Sequence, residues 1–145
     1  MIPTQLVCPV CETGELVLKQ GPGNYHYRGQ AFSIADIEYA ECPACQFEVI
    51  LSDQSDRNEA RIRDEQRRID GLLTRAELTQ LRQHFHLTPT QAAQVFGDLA
   101  FAKYESGEET QSVTLNKLLK LAVTVPSCFE ELCKMAEINW PSVAT

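Results

Sequence analysis

The pattern of hydrophobic and polar positions changes period partway along the chain. In the first part the period is two. Leu16 and Leu18 alternate with Val17 and Lys19, Tyr25 alternates with Tyr27, and Phe32, Ile34, Ile37 and Tyr39 follow. Such alternation predicts half-buried strands. Gly21-Pro22-Gly23-Asn24 carries turn chemistry, and Gly29-Gln30 offers a second reversal. From residue 74 the period becomes helical. Thr74-Arg75-Ala76-Glu77 is a capping box, with Leu78, Leu81 and Phe85 recurring after it. Thr88-Pro89-Thr90-Gln91 is a second start: Thr88 caps, Pro89 suits the first helical position and Gln91 completes the box. Ala92, Ala93 and Phe96 form its buried face and Gly97 ends it. Asp98 is placed to cap a very short third helix holding Phe101 and Tyr104, which Ser106-Gly107 stops. Ser112 opens a fourth, with Leu115, Leu118, Leu119 and Ala122 on one face. Ser127-Cys128-Phe129-Glu130 reads as a further capping box, followed by Leu132, Cys133 and Ala136.

Between these two regimes lies a run dominated by charge. Asp53 and Arg57, Glu59 and Arg63, and Asp64 and Arg68 stand four apart with the acid first, the favoured helical orientation. Ala60, Ile62 and Ile69 are its few apolar residues. The segment reads as a solvated helical connector. The sharper alternative is that Arg61, Arg67 and Arg68 touch phosphates or an acidic partner. The expected organisation is therefore 1–51, a small β module; 52–73, a charged helical linker; and 74–145, an all-α domain. The fold class is α+β in two domains. Two short helices joined by a turn within a set of five suggest a helix-turn-helix in the second.

Chemistry concentrates in the first module. The chain has six cysteines, and four form matched knuckles, Cys8-Pro9-Val10-Cys11 and Cys42-Pro43-Ala44-Cys45. Each tight turn aims two sulfurs at one point, and nearby backbone amides can donate to the thiolates. Two such turns supply a tetrahedral set for one structural Zn²⁺, with no open position for catalysis. A redox dithiol needs only one pair, in a βαβ setting that is absent. Strands joining two knuckles describe a zinc-ribbon-like module whose folding depends on metal. His26, between Tyr25 and Tyr27, reads as a strand side chain. Cys128 and Cys133 point in different directions on a helix, and Cys133 reads as core.

Charge changes the picture in one respect. The 145 residues carry a formal charge of −7, which counts against a default nucleic-acid binder. The acid is concentrated in residues 1–51, where Lys19 and Arg28 face six carboxylates. No secretory signal or membrane span is read, so a cytoplasmic setting with reduced thiols is expected.

The whole chain resembles the MqsA (YgiT) family of bacterial antitoxins. The resemblance rests on the two knuckles and on the stretch from Tyr27-Arg28-Gly29-Gln30 through Glu38-Tyr39-Ala40-Glu41-Cys42. It continues through Asp64-Glu65-Gln66-Arg67-Arg68-Ile69-Asp70-Gly71-Leu72-Leu73-Thr74, Ala92-Ala93-Gln94-Val95-Phe96-Gly97, Ala100-Phe101-Ala102-Lys103-Tyr104-Glu105-Ser106-Gly107-Glu108 and Gln111-Ser112. The resemblance implies a zinc domain that binds a toxin, often a ribonuclease. It also implies an Xre/Cro-like five-helix domain that dimerises and binds a palindromic operator. Toxin contacts are expected at Tyr25, Tyr27, Glu38 and Glu41, and DNA contacts at Thr90, Gln91, Gln94, Leu99 and Lys103. The chain departs from the family in its reading head. Gly97-Asp98-Leu99 runs straight into Ala100, with Leu99 near the position of a family Asn, and Lys103 is the one cation left in the recognition helix. Gln46 stands where a Gly usually follows the second knuckle. An antitoxin without enzymatic activity is the leading expectation, with operator binding weakened. The alternatives are a stand-alone helix-turn-helix regulator, or a member acting only through protein–protein contacts.

Overall fold

The computed structural model describes residues 6–138. Two compact units divide between Ile62 and Arg63. A three-stranded antiparallel sheet comes first and six helices follow, the α+β class expected.

In the first unit, strand β1 (Val17–Tyr27) pairs with β2 (Gln30–Glu41), and the two-residue β3 (Glu48–Val49) adds to the other side of β2. Arg28 and Gly29 connect the long strands, both at positive φ (51° and 77°), and Tyr27 pairs with Gln30 across the turn. That backbone twist matches the twist of the strands it joins. The expected turn at Gly21-Pro22-Gly23-Asn24 is corrected: these residues lie inside β1. Gly21 pairs with Ile37 and Gly23 with Ile34, so β2 carries one extra residue there. The bulge lets Ile34 and Ile37, three apart, both be buried. Pro22 is tolerated because it sits at a bulge on an edge strand. Gly23 is required by crowding, since a Cβ there would come within 2.9 Å of Ile37 Cγ1.

Helix α1 (Ser52–Asp70) begins in the first unit, and its residues from Arg63 belong to the second. It is not a solvated strap. Gln54, Asn58, Ala60 and Arg67 are buried. Gln54 Nε2 donates to Tyr39 O at 2.9 Å, and the Asn58 side chain bonds the backbone of Glu38. These amides cover backbone groups of β2 that the short β3 leaves without a strand partner.

In the second unit, α2 (Arg75–His84) and α3 (Pro89–Phe96) both start with complete capping boxes, at Thr74 with Glu77 and at Thr88 with Gln91. Gly97 closes α3 and Gly107 closes α4 (Phe101–Ser106), each in the left-handed region. Ser112 caps α5 (Val113–Thr124) through Leu115 N. Two expected starts are corrected. Ala100, not Asp98, is the N-cap of α4, and Asp98 Oδ1 instead accepts from Ala100 N at 3.0 Å. Helix α6 runs Pro126–Met135 with Val125 as its cap, so Ser127 is already inside it. Pro126 takes the first helical position because its missing N–H would be orphaned there anyway. The core joins all five helices: Leu78, Leu81, Phe85, Phe96, Phe101, Leu115, Leu119, Phe129 and Cys133 are buried together. Phe85 and Phe129 stack at 3.8 Å between centroids. Among the described residues no helix is long and apolar enough to cross a membrane.

Candidate metal centre and helical face

The two knuckles share the same tight turn. Glu12 N donates to Cys8 O at 3.0 Å and Gln46 N to Cys42 O at 2.8 Å. The residue after each second cysteine is left-handed, Glu12 at φ 57° and Gln46 at φ 64°. Cys8 N bonds Gly14 O and Cys42 N bonds Phe47 O, which bends the chain back over each thiol pair. Cys8 and Cys42 are buried, Cys11 is half-buried and Cys45 lies at the surface.

The four sulfurs lie within 4.8 Å of one another. Cys8 Sγ is 3.7 Å from Cys45 Sγ, and Cys11 Sγ is 3.6 Å from Cys42 Sγ. A sulfur tetrahedron with metal bonds of about 2.3 Å has edges of about 3.8 Å, so the set fits a tetrahedral cation. Disulfide bonding requires about 2.05 Å, and all four are free thiols. The environment of the thiols also suits a cation. The Thr13 hydroxyl and then the backbone amides of Thr13 and Gly14 draw Cys11 down to about 5. At Cys45 the Phe47 amide favours the thiolate, but desolvation and the sulfurs of Cys8, Cys42 and Cys11 prevail and push it up to about 12. Four thiolates so close need a positive charge among them to ionise together.

Thr13 and Gly14 support this site without an obvious sequence signal, and the Val10 amide supports it as expected. Thr13 Oγ1 donates to Cys11 Sγ at 3.4 Å, and Val10 N lies 3.3 Å from Cys8 Sγ. Gly14 lets the first knuckle approach the second: a Cβ there would fall 2.5 Å from Cys42 Sγ. His26 is exposed on β1 and lies outside the sulfur cluster.

The residues expected to meet a toxin separate into two kinds. Tyr25 and Tyr27 are half-buried on β1, with Tyr25 against Phe32 at 5.7 Å and Arg28 over the Tyr27 ring at 5.1 Å. Glu41 is half-buried and engaged by Lys19. Glu38, expected at a contact surface, is buried instead. Arg57 Nε reaches both its oxygens at 2.9 Å, and Arg61 Nη1 binds Oε2 at 2.7 Å. Hydrogen bonds from Arg57 and then Arg61 hold Glu38 down to about 2.

On the helical unit, Thr90 and Gln94 are exposed on α3, and Leu99 is 90% exposed just before α4. Gln91 is committed to its own cap, its Oε1 accepting from Thr88 N at 2.9 Å. Lys103 is exposed, 3.5 Å from Glu109. Asp98 is held by Tyr104, whose hydroxyl donates to Oδ2 at 2.9 Å. Of the three arginines considered for phosphate, Arg61 is paired with Glu38 and Asp36, Arg68 with Glu65, and Arg67 is wholly buried.

A family model and one relative in sequence give the same family. The family model described as "Antitoxin component of bacterial toxin-antitoxin system, MqsA" matches residues 6–133. The protein "Antitoxin MqsA" of Escherichia coli (strain K12) is 27% identical over 130 residues, spanning 86% of this chain and 98% of that protein. A solved structure of the N-terminal domain of the E. coli protein MqsA (YgiT) is 24% identical with a TM-score of 0.33, covering 46% of this chain and 98% of that one.

Proposed function

Because this chain belongs to the MqsA antitoxin family, we propose that it is the antitoxin of a toxin–antitoxin pair, binding its toxin through the first unit. The work is binding, not catalysis. Zinc on Cys8, Cys11, Cys42 and Cys45 has a structural role: the closed sulfur set leaves no open position for a reacting group. That set, clustered at the start of a family match reaching residue 133, is the observation that carries the reading. The half-buried Tyr25 and Tyr27 supply amphipathic contact area, and the acid surplus of residues 1–51 suits a basic toxin surface. The protein acts in the cytoplasm, where its thiols remain reduced.

The helical unit serves as the second arm. Its α3–α4 pair binds operator DNA as a homodimer joined through the second unit, using Thr90, Gln94, Leu99 and Lys103. Leu99 and the lone Lys103 favour a competing reading in which this arm is weak or silent. A leucine cannot make the paired hydrogen bonds that read adenine, worth about 1–3 kcal/mol of discrimination.

One purified protein tests both arms. Co-expression with the product of the adjacent gene should yield a stable complex and restore growth. Absence of both would remove the antitoxin reading. A gel shift with the upstream DNA at low salt should show salt-sensitive retardation, weakened by Lys103→Ala. DNA retardation without any toxin complex would instead favour a stand-alone regulator.

A further inference from the structure

Helix α4 is only six residues long, Phe101–Ser106, and so short a helix does not hold itself in place. Its start is pinned from its own side by Asp98, which accepts from Ala100 N and from the Tyr104 hydroxyl. Its end is held differently. Arg67, on the later half of α1, is completely buried, and its Nη2 donates to Tyr104 O at 2.8 Å and to Glu109 O at 2.7 Å. Arg63 Nη1 donates to Gly107 O at 2.8 Å. The last carbonyls of α4 and the loop beyond it therefore rest on two guanidinium groups, which also suit the negative end of the helix. Asp64 accepts from Arg67 Nη1 at 3.0 Å, and from Arg75 N and Nε at 2.9 and 3.2 Å. The same carboxylate thus ties the arginine to the first residue of α2.

We propose that Arg67 is a positioning residue for DNA reading: it sets the pitch of α4, and so the placement of Leu99 and Lys103, without touching nucleic acid itself. The inference rests on the reading of the helical unit as an operator-binding arm. A group that poses the helix acts on discrimination between sequences. Contacts to phosphate carry no sequence information and supply the sequence-independent part of the affinity.

The test uses full-length zinc-loaded protein and two duplexes, the DNA upstream of its own coding sequence and a scrambled duplex of equal composition. Arg67→Met removes all three of the hydrogen bonds described. Arg67→Lys keeps the charge beside Asp64 but lacks the planar fork that reaches both carbonyls. For either variant that retains a cooperative thermal transition, the preference for the upstream duplex should fall by about tenfold or more. Binding to the scrambled duplex and its salt slope should stay as in wild type, an outcome that general loosening of the fold would not produce. A folded variant that keeps the wild-type preference overturns the inference, as does failure of both variants to fold, which would make Arg67 a folding residue only. If the wild-type protein itself shows no preference, the operator-binding reading fails and the inference falls with it.

Discussion

The side-chain amide of Asn58 bonds both backbone polar groups of Glu38: Oδ1 accepts from Glu38 N at 2.8 Å, and Nδ2 donates to Glu38 O at 2.9 Å. One side chain on α1 thus does for β2 what a neighbouring strand would do. Asn58→Leu leaves a buried N–H and C=O without partners. The expected loss is about 2–4 kcal/mol, read as a lower denaturant midpoint for the first unit in metal-loaded protein.

The carboxyl group of the same Glu38 gives a pH dependence. Arg57 and Arg61 hold it down to about 2 in the folded chain, against a usual value of 4.5. Its contribution is therefore complete above about pH 4.5 and is lost as pH falls toward 2. The stability of the wild type should drop more steeply through that window than that of Glu38→Gln, which has no carboxylate to protonate. Equal slopes in chemical denaturation at matched pH values would contradict the assignment.

Zinc removal should act on one unit. Chelation, or Cys42→Ser, is expected to abolish the unfolding transition of the sheet and leave that of the five helices, followed by circular dichroism with elemental analysis for one zinc per chain. Gly14→Ala should weaken metal retention without removing a ligand, because its methyl group would fall 2.5 Å from Cys42 Sγ. Unchanged zinc release from that variant would mean that the knuckles can move apart freely.

Gln46→Gly should stabilise the loaded protein. Gln46 sits at φ 64°, a conformation that costs an L-residue about 1 kcal/mol. Its side chain returns part of that through a 3.0 Å bond from Nε2 to Pro43 O. Glycine also has more backbone freedom to lose on folding. The net gain expected is about 0.5 kcal/mol, seen as a small rise in Tm. A fall in Tm would show that the side-chain bond outweighs the strain.

What could be read from the chain and what could not separate along a physical line. Signals that depend on neighbours a few residues away were legible: the Thr74 and Thr88 caps, the stops at Gly97 and Gly107, and the spacing within each knuckle. Features set by partners far along the chain were not. The charge pairs of α1 suggested a surface helix, because nothing local shows that Gln54 and Asn58 complete a strand edge, or that Arg67 meets carbonyls about forty residues away. In sequence Glu38 reads as one more exposed acid, and only the fold brings Arg57 and Arg61 onto its carboxylate. Gly21-Pro22-Gly23 had the composition of a turn, but the register of a long hairpin overrode it. In α6 two local signals competed, and proline at the first position displaced the serine cap.

The cysteine pairs flank the long hairpin, one before β1 and one after β2, with the Arg28-Gly29 reversal at its far tip. An ion held by these sulfurs would gather strands that otherwise diffuse apart, making ion retention and strand pairing a single equilibrium. Damage at the tip, such as Gly29→Val, would therefore surface at the opposite end, as faster escape of zinc from sulfurs that the mutation never touches.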